Sequence, residues 1–270
     1  MKYLRKGLIG VAALLLAVAL LLWFLPARWL QPRIEARLHG LRLAQVQGLL
    51  WDGRAGQVLA ADGRVLGSLR WRLSRRALLG EVRLQLDFAG PQLGFSGTLR
   101  QRPGGRVEWH AVTLHAELAA LQPRLTSPLG QPGGTIQLAV PRALLQGGWP
   151  LQLQATAQWQ HAVMQTRTGA LTLGELQARA QAQGGVIQAQ LQDDGHGPLQ
   201  VQAQALLSPL GWRLDATLRA RQTDPALRRW LSTLGPADAD GTVHIHRRGG
   251  LAGSLPGATP TSTGHPHAPR

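Results

Sequence analysis

The stretch LQLQATAQWQHAV, residues 151–163, decides the fold class of this chain. Nonpolar residues such as Leu151, Leu153 and Trp159 alternate over its whole length with polar ones such as Gln152 and Gln154. A period of two is typical of a half-buried β-strand, which at about 3.3 Å per residue would run roughly 40 Å. The stretch therefore predicts one long strand with a nonpolar face and a polar face.

The same alternation recurs on both sides of this stretch, between turn dipeptides such as Gly104-Gly105, Gly147-Gly148 and Asp194-Gly195. Its nonpolar positions are Val82, Leu84, Leu86 and Phe88, then Ile136, Leu138 and Val140, then Ile187, Ala189 and Leu191, then Leu199, Val201, Ala203 and Ala205, and finally Trp212, Leu214, Ala216 and Leu218. Repeated strands with short turns predict a mainly β protein, built as an antiparallel, curved sheet or as a sandwich. They do not fit an α/β enzyme.

One or two short helices are predicted to interrupt the strands. Asp224 and Pro225 supply an N-cap and a proline at the first helical position, Leu227 and Leu231 follow at helical spacing, and Gly235 closes the helix. A shorter helical stretch is predicted over residues 116–124.

The N-terminal segment carries a membrane-spanning signal. From Leu8 to Leu25 the chain has 18 residues without a charge, which as a helix would be about 27 Å long, close to the hydrocarbon thickness of a bilayer. The competing interpretation is a cleaved signal peptide, but the nonpolar region is longer than usual and no Ala-x-Ala site follows it. We expect an uncleaved anchor, with Trp23 and Trp29 at its far interface and a helical extension from residue 26 to about residue 38.

The orientation of this anchor is not decided by charge. Three basic residues precede the span and three follow it closely: Lys2, Arg5, Lys6, and Arg28, Arg33, Arg37. Long domains translocate largely regardless of charge, and the basic cluster beside the free amine favours a cytoplasmic N-terminus. We expect a cytoplasmic stub and transmembrane anchor over residues 1–28, a periplasmic β-rich domain over residues 29–248, and a disordered tail over residues 249–270.

Composition excludes several classes of protein. Hydrophobic residues make up 44% and charged residues 16%, a balance that supports a packed core. The absence of cysteine excludes disulfides, cysteine metal sites and a thiol nucleophile. Lys+Arg 29 against Asp+Glu 14 gives a net charge of +15, but the arginines are dispersed and no recognition motif accompanies them. We therefore expect no nucleic-acid partner, and a solvated or anionic membrane-facing surface instead.

No catalytic constellation or cofactor motif is present, so we expect a non-enzymatic protein without cofactor or metal. A serine-hydrolase elbow, a phosphate-binding loop and a zinc-protease helix are all missing from the sequence. His244 and His246 would share one face of a strand, but no third ligand is evident and a solvent-facing strand end fits them better. Asp193 and Asp194 beside Gly195 predict a hairpin turn rather than paired acids.

The nonpolar strand faces must be covered by something, and two readings stay open. The first is that the sheet or sandwich closes on its own core. The second is a lipid-lined groove, as in a periplasmic lipid-binding or lipid-transfer protein. In the first case Leu84, Leu86, Leu153, Ala155 and Trp159 would be dry core, and in the second they would be accessible to acyl chains.

Two sets of segments resemble protein N of the bacterial type II secretion system. The first set is residues 46–55 (VQGLLWDGRA), Leu66-Gly67, residues 69–73 (LRWRL) and residues 78–80 (LLG). The second set is residues 224–228 (DPALR), Leu234-Gly235, residues 240–243 (DGTV) and residues 249–251 (GGL). The resemblance in layout covers residues 1 to about 251. It implies a bitopic inner-membrane protein that assists the assembly or stability of the secretion platform by contact with other inner-membrane subunits.

Six residues are candidates for structural or interaction roles: Trp51, Asp52, Gly53, Trp71, Trp159 and Trp230. In the first segment a strand is predicted to end in a tight Asp52-Gly53 turn, with Trp51 on the inner face and Trp71 packed near it from the next hairpin. We expect both tryptophans to be core residues first and partner contacts second.

Overall fold

The computed structural model describes residues 26–29, 40–121, 129–222 and 224–250. Thirteen strands account for most of them: β1 (Arg42–Gly48), β2 (Asp52–Leu59), β3 (Val65–Leu73), β4 (Arg83–Ala89), β5 (Leu93–Arg102), β6 (Arg106–Glu117), β7 (Gln131–Gln146), β8 (Trp149–Thr166), β9 (Gly169–Gln183), β10 (Val186–Asp193), β11 (Leu199–Ser208), β12 (Gly211–Ala220) and β13 (Val243–Gly250). The stretch at residues 151–163 lies inside β8, the longest strand.

All thirteen strands form one sheet in which each strand pairs with its neighbours in sequence. Every pairing is antiparallel, as in the hairpin of β7 and β8 that closes at Gly147 and Gly148. Both glycines have positive φ, +57° and +82°, which a tight hairpin turn requires. The predicted mainly β, antiparallel architecture is confirmed, and its strands belong to a single sheet rather than to a two-sheet sandwich.

The strand register aligns nonpolar residues into rows across the sheet. One row, the central nonpolar row, contains Leu69, Phe88, Phe95, Leu114, Leu138, Ala157, Ala178, Leu191, Ala203, Ala216 and Ile245. The opposite face carries a row of Gln137, Gln158, Gln177, Gln192 and Gln202. The two faces are thus chemically distinct, as the alternation in the sequence predicts.

Irregular positions bend the longest strands. The register shifts between Ala139 and Arg142 on β7 and between Trp159 and Ala162 on β8. His161, inside the second shift, has a φ of +49°. Bulges of this kind increase local twist and curve a sheet.

The predicted helix at Asp224 is present as α1 (Pro225–Ser232). The Asp224 carboxylate accepts hydrogen bonds from the backbone N–H groups of Ala226 and Leu227, at 2.8 and 3.2 Å, and so satisfies two free donors at the helix start. The helix ends at Ser232, before the predicted stop at Gly235, and α1 is followed by a turn.

The other helical predictions are only partly met. Pro26 forms an isolated bridge with Leu49, and Ala27–Trp29 makes one 3-10 turn, so the described start of the expected outward helix is not α-helical. Residues 116–124 begin as the end of β6 and continue as a 3-10 turn, Leu118–Leu121. Further 3-10 turns are Arg75–Leu79 and Pro103–Gly105.

No helix among the described residues is long and nonpolar enough to cross a membrane. The predicted span at residues 8–25 lies outside the described residues. The tail predicted over residues 249–270 begins too early, because Gly249 and Gly250 belong to β13 and pair with Trp212 and Gly211, and the rest of that tail lies outside the described residues. The span and the rest of the tail remain predictions.

Two clusters of buried residues lie at the two ends of the strand order, and a few buried residues outside them, such as Ala116 and Val140, lie on β6 and β7. The C-terminal cluster joins α1 to strands β8–β13, and its members include Leu173, Leu199, Leu218, Leu227 and Leu231. A much smaller N-terminal cluster consists of Leu43, Ala55 and Val58, with Val46, Leu69, Trp71 and Phe88 packed against it.

Candidate functional site

The first candidate residues lie together at the corner where β1, β2 and β3 meet. The turn between β1 and β2 is residues 49–51, closed by a 2.9 Å hydrogen bond from the Leu49 N–H to the Asp52 carbonyl. The predicted Asp52-Gly53 turn is therefore wrong: these residues begin β2, opposite Arg72 and Trp71. The turn needs no Asp-Gly pair because Gly48, with a φ of +88°, reverses the chain before it.

Both corner tryptophans are built into the fold. Trp51 is buried, and its carbonyl accepts a 2.7 Å hydrogen bond from the Leu73 N–H. The Trp71 indole N–H donates to the Leu50 carbonyl at 3.1 Å and so ties β3 to the turn. A Cβ on Gly53 would lie 2.3 Å from the Trp71 ring, so glycine is required where the indole crosses the backbone.

Trp159 and Trp230 lie elsewhere, against the C-terminal cluster. The Trp159 indole N–H donates to the Gly133 carbonyl at 2.8 Å, and that of Trp230 donates to the Leu129 carbonyl at 2.9 Å. The structure thus divides the six candidates into a corner group of four and a second group of two. All four tryptophans pack on the sheet, and the role of each in binding remains a prediction.

Sequence reasoning missed a buried carboxylate on the polar face. Glu108 on β6 is 1% exposed. Its Oε2 accepts a 2.6 Å hydrogen bond from Arg102, and its Oε1 lies 2.9 Å from the Arg142 guanidinium and 3.2 Å from the His110 ring. The contact with Arg142 is an ion pair rather than a well-aligned hydrogen bond, and the contact with His110 is an ion pair when the imidazole is protonated. Glu108 therefore joins β5, β6 and β7 through one negative charge.

The pKa of Glu108 is lowered although the side chain is buried. Burial by itself would raise that pKa, but the Arg102 hydrogen bond and the charges of His110 and Arg102 outweigh the burial. A sequence signal existed, since Glu108 and His110 are two residues apart and share a strand face. The pairing with Arg142 depends on the register of β6 against β7, which places Arg142 opposite His110.

The histidines of β13 do not converge on a common site. The rings of His244 and His246 are parallel with centroids 6.5 Å apart. Each faces its own carboxylate, with His244 3.3 Å from Asp238 and His246 2.8 Å from Asp215. Within the described ranges no group of three metal-ligating side chains comes together.

Asp193 and Asp194 form the predicted turn at the end of β10. The Asp193 carboxylate accepts from the backbone N–H of Val201 at 2.8 Å and of Gly195 at 2.9 Å, and it also pairs with Arg221. Burial would raise the pKa of Asp193, but these donors lower it below its ordinary value. The paired acids thus hold a hairpin together.

The five nonpolar residues whose exposure would distinguish a dry core from a lipid groove are all half-buried. This holds for Leu84, Leu86, Leu153, Ala155 and Trp159. Their exposure favours neither reading over the other.

The two segment sets that resemble a known family lie at opposite ends of the strand order. The first set forms β1, β2 and β3 with the corner, and continues to Gly80, which caps the 3-10 turn Arg75–Leu79 in a left-handed conformation. The second set forms α1 and leads into β13, where the Asp240 carboxylate accepts hydrogen bonds from the Thr242 N–H at 3.0 Å and hydroxyl at 2.8 Å. Both sets build turns, caps and edge strands, which set where the sheet begins and ends.

Comparison with known proteins agrees with this layout. A family model described as type II secretion system protein N matches residues 39–246. The chain is 29% identical over 219 residues to a type II secretion system protein N of Klebsiella pneumoniae, covering 79% of this chain and 84% of that protein. It is 30% identical over 143 residues to one of Vibrio cholerae serotype O1, covering 50% of this chain and 55% of that protein. No solved structure matches. The chain belongs to the family of type II secretion system protein N.

Proposed function

We propose that this protein is a non-enzymatic inner-membrane component of a type II secretion system, which assists the assembly or stability of the platform. That platform exports folded proteins from the periplasm across the outer membrane. Residues 8–25 would anchor the chain with its N-terminus in the cytoplasm, and the sheet would lie in the periplasm. Family membership supports the secretion role, and the nonpolar run supports the anchor.

The observation that carries the mechanism is the edge of the sheet at β13. Within the described residues β13 pairs with β12 on one side, and on the other side only Val243 has a partner, in a bridge with Ala237. The backbone from Ile245 to Gly250 therefore presents hydrogen-bonding groups along a free edge. Such an edge accepts an extended segment of another protein by β-augmentation.

The charges on β13 are of the kind that limits unspecific strand pairing at a sheet edge. Arg247 lies opposite Leu214 in the register and so belongs to the nonpolar face, while Arg248 lies opposite Arg213 on the polar face. Charges on an edge strand, including one that points inward, discourage indiscriminate pairing with other sheets. Edge pairing would then require a partner with matching acidic side chains, such as another inner-membrane secretion subunit.

Site-specific photocrosslinking in cells tests this proposal. A crosslinking residue replaces His246 or Arg248 at the edge, and matched controls replace Gln158 or Gln190 in the middle of the polar face. We expect crosslinks to identified inner-membrane secretion subunits from the edge positions and several-fold fewer from the controls. Equal crosslinking from all four positions would contradict edge pairing.

Two further measurements test the rest of the proposal. Alkaline phosphatase fused after Arg270 should be active, and a reporter that matures only in the cytoplasm should be dark. Native mass spectrometry of the membrane-extracted protein should recover secretion subunits. Stoichiometric phospholipid retained without any such subunit would replace the assembly role with lipid handling.

A further inference from the structure

A basic pocket lies where the turns after β3 and β5 meet. It has a volume of about 770 Å³ and is lined by the arginines Arg76, Arg83, Arg100 and Arg102 together with Glu81. Four positive charges against one negative charge leave the lining at +3. Glu81 compensates weakly, since its ion pair among the described residues is with Arg76, at 3.7 Å, and both side chains are largely exposed. Glu108, beside the pocket, pairs with Arg102 at 2.6 Å and lowers the net charge to +2.

Arg83 and Arg100 lack an anionic partner among the described residues. Arg83 lies directly opposite Arg100 in the register of β4 and β5, an arrangement that repels. The Nε of Arg100 is buried and has no hydrogen-bond partner in the described structure. Arg102 is already paired with Glu108. The pocket therefore has the chemistry of an anion site, and guanidinium groups bind phosphate oxygens especially well.

The pocket lies near the point where the chain leaves its N-terminal segment. Pro26 bridges Leu49, the Leu73 N–H donates to the Trp51 carbonyl, and the Ser74 N–H donates to the Arg83 carbonyl. From β1 to β5 is four strand spacings, about 19 Å at roughly 4.8 Å each. The uncharged run ends at Leu25, one residue before the bridge. An anchor formed by that run would hold the pocket close to the membrane surface.

Exposed nonpolar side chains stand beside the pocket. Leu78 and Leu79, on the 3-10 turn Arg75–Leu79, are 50% and 84% exposed. Large nonpolar side chains next to arginines are typical of a surface that lies in the headgroup region, where the leucines enter the acyl boundary and the cations meet phosphates.

We propose that this pocket docks the sheet domain onto anionic phospholipid headgroups of the membrane that holds the N-terminal segment. Arg83 and Arg100 take the headgroup phosphate, and Leu78 and Leu79 enter the interface. The inference rests on the proposed membrane anchor but concerns a second, separate contact. Docking would fix the orientation of the sheet, and hence of its free edge, relative to the membrane.

The full chain lacks cysteine, so a single fluorescent label can be placed cleanly to test this. Leu79→Cys carries an environment-sensitive dye in chains reconstituted into vesicles of pure phosphatidylcholine or of phosphatidylcholine with phosphatidylglycerol. Val65→Cys, at the opposite end of β3 and also exposed, is the control label. We expect a blue shift and quenching by lipid-attached quencher only for the label at position 79 in phosphatidylglycerol vesicles, weakening as salt is raised.

Arginine variants give the second arm. Arg83→Gln with Arg100→Gln should reduce docking about 25-fold, at roughly fivefold per arginine. Arg179→Gln with Arg213→Gln removes two exposed arginines of the polar face, on β9 and β12, and should leave the signal unchanged. Equal signals in both vesicle types would overturn the proposal, and so would protection of the label by an acidic secretion subunit but not by lipid.

Failure of the anchor is distinguished in the same samples by alkaline extraction. Chains that leave the vesicles at high pH in every composition would contradict the anchor proposed above. Chains that stay with the vesicles while the label at position 79 remains in water would contradict only the docking surface.

Discussion

The central and the C-terminal parts of the sheet share the central nonpolar row but differ in burial. On β6 and β7 Leu114 and Leu138 are half-buried, whereas on β11 and β12 Ala203 and Ala216 of the same row are buried. At the C-terminal end α1 adds a second layer, since its Leu227 and Leu231 are each 1% exposed and pack into the C-terminal cluster. No helix in the described ranges covers the central part in the same way.

The comparison shows that nonpolar residues on one face of the sheet do not form a buried core by themselves. Alternation decides which residues point to the same side, but burial requires a second layer over that side. We therefore expect the free energy of unfolding to depend on nonpolar packing at the C-terminal end. At the central and N-terminal strands it should depend on polar pairing and close backbone contacts.

The largest loss of stability is expected in the C-terminal cluster, where α1 covers the sheet. Leu231→Ala should lower the free energy of unfolding by about 2–5 kcal/mol, because it opens a cavity between α1 and the sheet. Urea unfolding of the purified full chain, followed by circular dichroism, measures this. The matched control is Leu79→Ala, which changes an 84% exposed leucine and should stay within about 0.5 kcal/mol. Equal losses would remove the distinction between the two regions.

The next largest loss of stability is expected at Glu108, in the central strands. Glu108→Gln should cost about 1–3 kcal/mol at neutral pH, because Arg102 and Arg142 lose the charge they share. Since the folded pKa lies below the ordinary value of 4.5, this stabilisation is present above pH 4.5 and is lost as pH falls through the folded pKa. The difference between wild type and variant should therefore shrink in acid.

Unfolding at pH 7 and at about pH 3 checks the Glu108 prediction. Glu81→Gln is the control, because Glu81 is exposed and, within the described part of the chain, its ion pair is with Arg76 at 3.7 Å. A wild-type minus variant difference that is independent of pH would show that Glu108 acts through packing rather than charge.

A comparable effect is expected at the N-terminal corner. Gly53→Ala should cost about 1–3 kcal/mol, since the new methyl group would collide with the Trp71 ring and with the Leu49 carbonyl, 2.8 Å away. Thermal unfolding and the change in tryptophan fluorescence measure it. Gly94→Ala, a strand glycine whose Cβ would find its nearest neighbours at 4.0 Å, should be near neutral. Equal tolerance at both positions would mean that Trp71 can move aside.

The smallest loss of stability is expected at the N-cap of α1. Asp224→Ala should cost about 1 kcal/mol through loss of the helix cap, while Asp224→Ser should recover most of it. A destabilisation as large as that of Leu231→Ala would indicate that Asp224 does more than cap the helix.

The sequence indicated which residues of the candidate site are packed, but not how the strands bring them together. The tryptophans were identifiable as packed residues, and the segment around Trp51 as an ordered corner. The position of its turn was wrong because glycines at both 48 and 53 offered a reversal, and only the contact between Gly53 and Trp71 shows which one stays in a strand. Glu108 went unnoticed because two of its three partners lie on other strands.

The sequence by itself determined the strands, their two faces, and the capped helix at Asp224, because these features depend on residues within a few positions of one another. The tertiary structure alone decided that Arg83 faces Arg100, that Arg142 reaches Glu108, and that α1 covers only the C-terminal strands. Each of these depends on register between separate strands or on where a helix packs. Alternation repeats every two residues and is the same in any strand, so it leaves those choices open.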